Sequence, residues 1–312
     1  MFKRFIFISA TCLIAAATAK AQYDASFSHY WDLETYYNPA AAGKESKLNI
    51  SGVYALDFQG YENNPRSMYV AADMPIRLGN TLHGLGVSLF NDQIGLFQHQ
   101  RFSLLYSYKL RLFKGTLSGG LQVGLLSETF DSSDLDLEDS SDPAFSTSDL
   151  DGSALDIGFG LYYTHGAWYA GASVQHLTAP LVELGTTNEL QIDRTYYLTG
   201  GYNIKLRNPF LSIPASVLVK TDMTDWRADI TGRLVYKNEN KMMYAGVTYS
   251  PDRSATVLIG GSFHGIILGY SYEIYTSAID IGDGSHELFL GYQMDINLYK
   301  KGRNKHKSVR IL

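Results

Sequence analysis

The strongest constraint on the fold is the alternation of side chains in the last apolar segment, Ser285 to Tyr299. Its even-numbered positions from Leu288 to Leu298 are all apolar, whereas the odd-numbered positions are polar or glycine, with Phe289 as the exception. A period of two indicates a β-strand with one apolar and one polar face. An ordinary strand has roughly five or six residues, and crossing a bilayer at a tilt takes roughly nine to eleven. The segment therefore predicts the closing strand of a transmembrane β-barrel.

The same alternation recurs along the whole chain. In the clearest segment, Arg101 to Arg111, aromatic and leucine side chains alternate with Arg, Ser and Lys. After residue 21 no segment approaches the roughly 18 continuous apolar residues of a membrane helix, so a spanning structure has to be a closed barrel. We count about 14 such segments, and single-chain bacterial barrels have even numbers of strands. The predicted fold is an all-β, antiparallel transmembrane barrel over residues 47–299.

The predicted connections between these strands differ in length at the two ends. Short turns such as Arg77–Asn80 and His165–Gly166 alternate with longer loops such as Asn91–Gln98, Asp131–Gly152 and Leu177–Gln191. Outer-membrane barrels have short periplasmic turns and longer external loops. This asymmetry predicts that both termini lie on the periplasmic side.

Two terminal segments flank the predicted barrel and its lead-in. Residues 1–21 combine Lys3 and Arg4, an apolar run and an Ala-Lys-Ala exit, which predicts a secretory signal peptide. Residues 22–46 form an aromatic-rich periplasmic lead-in, and the basic residues 300–312 form a periplasmic tail. The single cysteine, Cys12, lies in the predicted signal peptide, so the mature chain is expected to have no disulfide. A net charge of -5 gives no reason to expect nucleic acid as a partner.

The candidate chemistry is sparse, and we predict no catalytic residue and no cofactor. The loop Asp131–Asp151 carries eight acidic residues and no basic one, but its spacing does not fit an EF-hand Ca²⁺ loop, and a solvated surface loop is the simpler interpretation. His83, His165 and His264 each precede a glycine at predicted inner turns, where a turn role accounts for them. Charges of both signs on the inner face predict mutual pairing within the barrel. A hydrolase at the rim stays open because triads are defined by geometry, although no G-x-S-x-G or H-E-x-x-H motif is present.

Several glycine and aromatic motifs follow one another along the chain. They are Asn38-Pro39-Ala40 with Gly43, Gly84 through Gly95, Leu117-Ser118-Gly119-Gly120-Leu121, Tyr169 through Ser173 with His176-Leu177, Arg194-Thr195-Tyr196 with Gly200-Gly201-Tyr202, Gly269-Tyr270-Ser271-Tyr272, and Ser285-His286-Glu287. Each motif alone is weak, but the series covers nearly the whole chain after the signal peptide. Taken in this order, the motifs resemble the PorP/SprF family of outer-membrane proteins from the type IX secretion and gliding machinery.

The resemblance implies a non-enzymatic outer-membrane protein that helps export or anchor large surface proteins such as adhesins. It also implies contacts with outer-membrane lipid and with periplasmic ring or lipoprotein subunits. A solute-transporting channel is the alternative that the residues leave open. The resemblance assigns a structural role to the motif residues Asn38, Pro39 and Gly43. The hypothetical cargo contacts at the outer rim are Asn91, Asp92, Gly95, His286 and Glu287.

Overall fold

The computed structural model describes residues 23–131, 150–185, 188–239, 241–276 and 283–296. The predicted signal peptide, the basic tail and most of the acidic loop lie outside these residues. The described chain forms a closed barrel of antiparallel strands with one additional hairpin. No helix among the described residues is long and apolar enough to cross a membrane.

Fourteen strands form the barrel, which confirms the predicted fold class. The strands β8 and β9 pair only with each other as a separate hairpin, so β7 is the barrel neighbour of β10, and β1 closes the barrel against β16. The strands are β1 Lys47–Leu56, β2 Arg66–Leu78, β3 Thr81–Ile94, β4 Phe97–Leu112, β5 Gly115–Phe130, β6 Leu150–His165, β7 Trp168–Gln175, β8 Leu181–Leu184, β9 Asn188–Gln191, β10 Thr195–Lys205, β11 Leu211–Thr221, β12 Trp226–Asn238, β13 Lys241–Ser250, β14 Ser254–Phe263, β15 Ile266–Tyr275 and β16 Ser285–Asp295.

The two faces of the barrel wall follow the sequence alternation. On β15, Leu268 is 55% exposed, while Ser271, which has the opposite parity, is 1% exposed. On β4, Phe102 and Leu104 point outward while Ser103 is fully buried. An outward belt of large apolar side chains is what a lipid environment requires, since lipid offers no partner to polar groups.

The connections define an inner end and an outer end of the barrel. The inner end has short turns such as Gly79–Asn80 and Phe113–Lys114. At the outer end the predicted loop Asn91–Gln98 is wrong in extent, because β3 and β4 continue through it to a two-residue turn at Gly95 and Leu96. The side chains of Gln98 and Gln100 donate to the Oδ1 of Asn91, so pairing continues after the apolar alternation has ended.

The chain before β1 lies inside the barrel, whereas the sequence predicts a periplasmic lead-in over residues 22–46. Residues 23–43, which we call the plug, include the short helix α1 Glu34–Tyr37 and a 3-10 turn Pro39–Ala41. Tyr23 contacts Glu128 near the outer end of β5, and the backbone N–H of Gly43 donates to Asp73 in the inner half of β2, at 2.6 Å. The plug therefore crosses the barrel lengthwise, and its first described residue lies towards the outer end.

The core of the molecule lies between the plug and the inner face of the wall. Plug residues Leu33, Tyr36 and Tyr37 are at most 1% exposed and belong to one apolar cluster with inward side chains of the strands. Burying one such side chain contributes about 1.5–3 kcal/mol. The barrel interior is thus a packed core along the plug, and it opens at its outer end.

Candidate functional site

The outer half of the plug, residues 23–29, is held by a buried charged network centred on Asp24. The Oδ1 of Asp24 lies 3.2 Å from the Nε2 of His176 and 3.7 Å from the guanidinium of Arg101. The phenol of Tyr197 donates to the Oδ2 of Asp24 at 2.7 Å. Asp156 completes the network, with its Oδ1 3.1 Å from the Nδ1 of His176. Three strands or strand ends therefore hold Asp24 directly, and Asp156 from β6 supports them through His176.

Asp24 of the plug and His176 of the wall shift each other's pKa. Burial acts to raise the pKa of Asp24, but His176, Arg101 and Lys220 outweigh it and hold that pKa well below its usual range. Burial acts to lower the pKa of His176, but Asp24 and Asp156 outweigh it and raise that pKa to about 9. At neutral pH the network therefore contains an imidazolium between two carboxylates, which is an arrangement that buried charges tolerate because each is paired.

Two further contacts fix the plug next to Asp24. The phenol of Tyr23 donates to Glu128, whose other oxygen contacts the Nδ1 of His99. The ammonium of Lys220 donates to the backbone carbonyl of Asp24 at 2.7 Å and to the hydroxyl of Ser26 at 2.9 Å. In each contact a charged wall side chain forms a hydrogen bond with a hydroxyl or a backbone carbonyl of the plug. Such a bond is stronger than one between two neutral groups.

Glu287 of β16 binds the middle of the plug rather than the solvent at the rim. Its carboxylate accepts from the backbone N–H groups of Ser28 at 2.6 Å and His29 at 2.9 Å, and it contacts the Nδ1 of His29 at 2.5 Å. The ring of His29 also stacks on Phe289, with centroids 5.5 Å apart. Phe289 is the residue that breaks the alternation in the last strand, and the plug explains why that position is apolar.

The inner half of the plug, residues 30–43, is held mainly by aromatic packing. Trp31 lies under the guanidinium of Arg233, 4.0 Å from the ring centre, which is a close cation–π arrangement. The rings of Tyr36 and Tyr37 pack edge-to-face on the wall residues Tyr69 and Tyr197, with centroids 5.0 and 5.4 Å apart.

The motif residues Asn38, Pro39 and Gly43 place the plug backbone against inward-facing glycines of the wall. Asn38 caps the 3-10 turn by accepting from the N–H of Ala40 at 2.9 Å, and its amide donates to the carbonyl of Leu161 at 2.9 Å. A Cβ atom on Gly120 or Gly160 would lie less than 3.0 Å from residues 38–40. Gly43 has a positive φ of 61°, and a Cβ there would meet Met74 and Gly84 at 2.8 Å. We call the three inward-facing wall glycines that contact the plug, Gly84, Gly120 and Gly160, the glycine seat.

The five rim residues proposed from the sequence lie at the outer end but on two faces of the wall. Asp92, Ser67, Ala55 and Glu287 form one row across β3, β2, β1 and β16, which places Asp92 and Glu287 at one level, both pointing inward. Their side chains are buried, at 2% and 5% exposure. By contrast, His286 points outward and contacts the phenol of Tyr270, while Asn91 bonds Gln98 and Gly95 forms the turn. A cargo contact at any of the five stays a prediction.

The outer end contains a vestibule above the plug. It has a volume of about 710 Å³, and residues 23–26 of the plug form its floor. Side chains from the outer ends of several strands form its walls, and the hairpin β8–β9 packs separately, through Val182 and Leu184, on Leu126. The vestibule is lined by Asp57, Phe58, Asp92, Arg227, Glu273 and Tyr275, among others.

Among the described residues no group of three or more His, Cys, Asp and Glu side chains could hold a metal ion. The contacts with residues 23–43 hold the plug, and the vestibule has room for a ligand. Sequence reasoning missed the network residues Asp24, His176 and Tyr197 and the glycine seat. The only available signals were the inward charges, which we expected to pair with one another, and the glycines of the motifs.

Comparisons with known proteins agree with the fold. A family model described as type IX secretion system membrane protein PorP/SprF matches residues 19–292. A Pseudomonas aeruginosa FadL homologue shares 13% identity and a TM-score of 0.51, over 83% of this chain and 93% of that one. The CymD monoaromatic hydrocarbon channel shares 10% identity and a TM-score of 0.51, over 86% and 94% of the two chains. These similarities show the fold alone. No curated protein matches the chain in sequence.

Proposed function

Because the chain belongs to the PorP/SprF family of type IX secretion system membrane proteins, we propose that it helps to export large cargo proteins, such as adhesins, or to anchor them at the surface. The protein is located in the outer membrane. Its role is non-enzymatic, and its partners are other secretion subunits, including periplasmic ring or lipoprotein components, together with the cargo itself.

The observation that carries this proposal is the family match over most of the chain, read together with the plugged interior. Plug residues such as Leu33 and Tyr37 occupy the axis of the barrel and bury their side chains against its wall. A barrel filled in this way offers no open path for a folded protein. It does offer two rigid ends on which other proteins can assemble. The proposed role is therefore that of a docking component, and the cargo passes elsewhere.

The solute-channel alternative has less support. The solved channels of similar shape establish a shared fold. At 10–13% identity they do not indicate what this chain transports. The described plug fills the place that a solute would cross. Conductance of the purified protein in planar bilayers measures this directly, and we expect no sustained channel current.

The test is a strain that lacks this chain, compared with the same strain carrying it on a plasmid. We expect adhesins to be lost from the cell surface of the first strain and restored in the second, as measured by antibody labelling of intact cells. Outer-membrane protein content serves as the control, because a general assembly defect would alter unrelated barrels as well. Normal adhesin display in the deleted strain would overturn the proposal.

A further inference from the structure

The vestibule has the size of a ligand site and is built from residues that the family assignment does not explain. Its volume of about 710 Å³ lies within the roughly 300–1,000 Å³ of typical small-ligand sites. It opens at the outer end, and the plug closes it below with Tyr23, Asp24 and Ser26. A ligand that enters from outside therefore meets the plug and the wall at once.

The basic groups of the vestibule are already engaged. The guanidinium of Arg227 binds Asp229 at 2.9 Å and Glu273 at 3.0 Å. Arg253 pairs with Asp225 on the neighbouring turn. Lys220 donates to the plug, as described above. An anionic ligand would have to compete with carboxylates that these cations already hold, so the vestibule is poorly suited to anions.

Two carboxylates of the vestibule, by contrast, have no basic partner within ion-pair distance among the described residues. Asp92 is 2% exposed, and the hydroxyl of Ser67 donates to it at 2.7 Å. Burial and the neighbouring carboxylates of Glu273 and Glu287 raise the pKa of Asp57 to about 7, since Arg227 compensates only in part. A buried carboxylate without a countercharge costs free energy, which a cationic ligand would recover.

Aromatic rings stand beside these carboxylates. Phe58 and Tyr275 pack together in the wall with centroids 4.9 Å apart, and Trp226 also lines the vestibule. Phe58 has a positive φ of 51°, a conformation that costs a bulky residue free energy and that the surrounding structure has to maintain. Aromatic faces attract organic cations, and they also pack on the aliphatic part of a long basic side chain.

We propose that the vestibule binds a basic side chain, arginine or lysine, of an exported polypeptide. The unpaired carboxylates of Asp57 and Asp92 take the charge, and the rings of Phe58 and Tyr275 pack on the stem. The inference rests on the proposed secretion role for the source of the ligand.

The experiment uses the full mature chain in zwitterionic detergent and two tripeptides, acetyl-Ala-Arg-Ala-amide and its citrulline analogue. Citrulline has nearly the shape of arginine but no charge, so the pair isolates the ionic contribution. We expect isothermal calorimetry to show binding of the arginine peptide and at least about tenfold weaker binding of the citrulline peptide. Asp57→Asn and Asp92→Asn should each weaken the arginine peptide about 5- to 10-fold. Affinity should also fall as the pH drops below about 7, where Asp57 takes up a proton.

The control variant is Glu189→Gln, which removes a carboxylate from the exposed hairpin strand β9 at the same end of the barrel. We expect it to leave peptide affinity unchanged. Equal affinity for the two peptides, or equal losses in Glu189→Gln and Asp57→Asn, would overturn the proposal. Displacement of the peptide by millimolar CaCl₂ at constant ionic strength would assign the site to a metal ion and overturn it as well. Adhesin display in the deleted strain is a separate result, so a failure of the secretion role is distinguishable from a failure of this site.

Discussion

The two halves of the plug are bound by different kinds of contact. The outer half, residues 23–29, is held by ion pairs and charge-assisted hydrogen bonds that converge on Asp24 and on the backbone next to Glu287. The inner half, residues 30–43, is held mainly by aromatic packing and by close backbone contact with the glycine seat. Its charged contacts are at Glu34, which accepts from Tyr162, and at Ala42 and Gly43, whose backbone binds Lys109 and Asp73. Contacts based on shape do not depend on protonation, whereas contacts based on charge do.

This difference means that the halves can respond independently. The inner half continues directly into β1, and its packing makes it the fixed end of the plug. The outer half forms the floor of the vestibule, and a change of charge or pH acts on it first. Hydrogen exchange measured by mass spectrometry resolves the halves, because local opening lowers amide protection in the segment that opens.

The largest effect is expected from Gly120→Val, which fills the glycine seat. The new side chain would overlap the plug backbone at Pro39 and Ala40, where no rotamer change relieves the contact. We expect protection to fall in both halves, by on the order of 1,000-fold, or roughly 4 kcal/mol, in residues 30–43.

Gly119→Val is the matched control for this change. Gly119 precedes Gly120 on β5 but has the opposite parity, and a Cβ there meets only Leu161, at 3.8 Å. Protection in the plug should therefore stay unchanged. If Gly119→Val and Gly120→Val lowered protection equally, the loss would reflect a weakened β5, and the seat would not be what positions the inner half.

The second prediction concerns Asp24→Ala, which removes the centre of the charged network. Arg101 and His176 would lose the carboxylate that they share, while Lys220 keeps the backbone carbonyl of residue 24, and an uncompensated buried charge costs about 3–5 kcal/mol. We expect protection to fall by at least about 150-fold in residues 23–29 and by less than about threefold in residues 30–43. A comparable loss in both halves would mean that the plug moves as one body.

The barrel itself was predictable from the sequence because lipid and interior impose a period of two on every spanning strand. That signal ends where the hydrocarbon ends. Gln98 and Gln100 both donate to Asn91 across the strand pair, so polar side chains interrupt the apolar alternation although β3 and β4 continue. The periodic signal thus reports the thickness of the membrane better than it reports the length of a strand.

The plug was not predictable from the same pattern because its contacts are tertiary. Tyr36, Tyr37 and Trp31 read as an aromatic lead-in, and nothing local shows that they face the inner wall. The sequence signals of the plug lie instead in the strands that contact it. Phe289 is apolar on an otherwise polar face, and Gly120 is small where a side chain would fit an empty barrel. Exceptions to the alternation on the inward face would have located the plug.

The third prediction is a dependence on pH that is confined to the outer half. The pKa of His176 is raised to about 9 from 6.5, so the stability it contributes is fully present below about pH 6.5 and is lost as the pH rises through 9. The charged groups that face it are Asp24 from the plug, Asp156 from β6 and Arg101 from β4. Between pH 6.5 and 9.5 we expect protection in residues 23–29, corrected for the intrinsic exchange rate, to fall by up to about 100-fold. Residues 30–40, which lie apart from the Lys109 ammonium that donates to Ala42, should change little, and a parallel loss there would contradict the division.

The smallest effect is expected from Glu287→Gln. The amide oxygen still accepts from the N–H of Ser28 or His29, but the charge is gone and the contact with the His29 ring is weakened. A charge-assisted hydrogen bond exceeds a neutral one by about 1 kcal/mol, so protection of residues 28 and 29 should fall about fivefold. His286→Gln is the control, because His286 precedes Glu287 on β16 but points outward, next to Tyr270. Measuring both amide protection and adhesin display in Glu287→Gln and His286→Gln also distinguishes binding of the plug from contact with cargo. If Glu287 contacts cargo directly, Glu287→Gln should reduce adhesin display while the protection of residues 28 and 29 stays at the wild-type level.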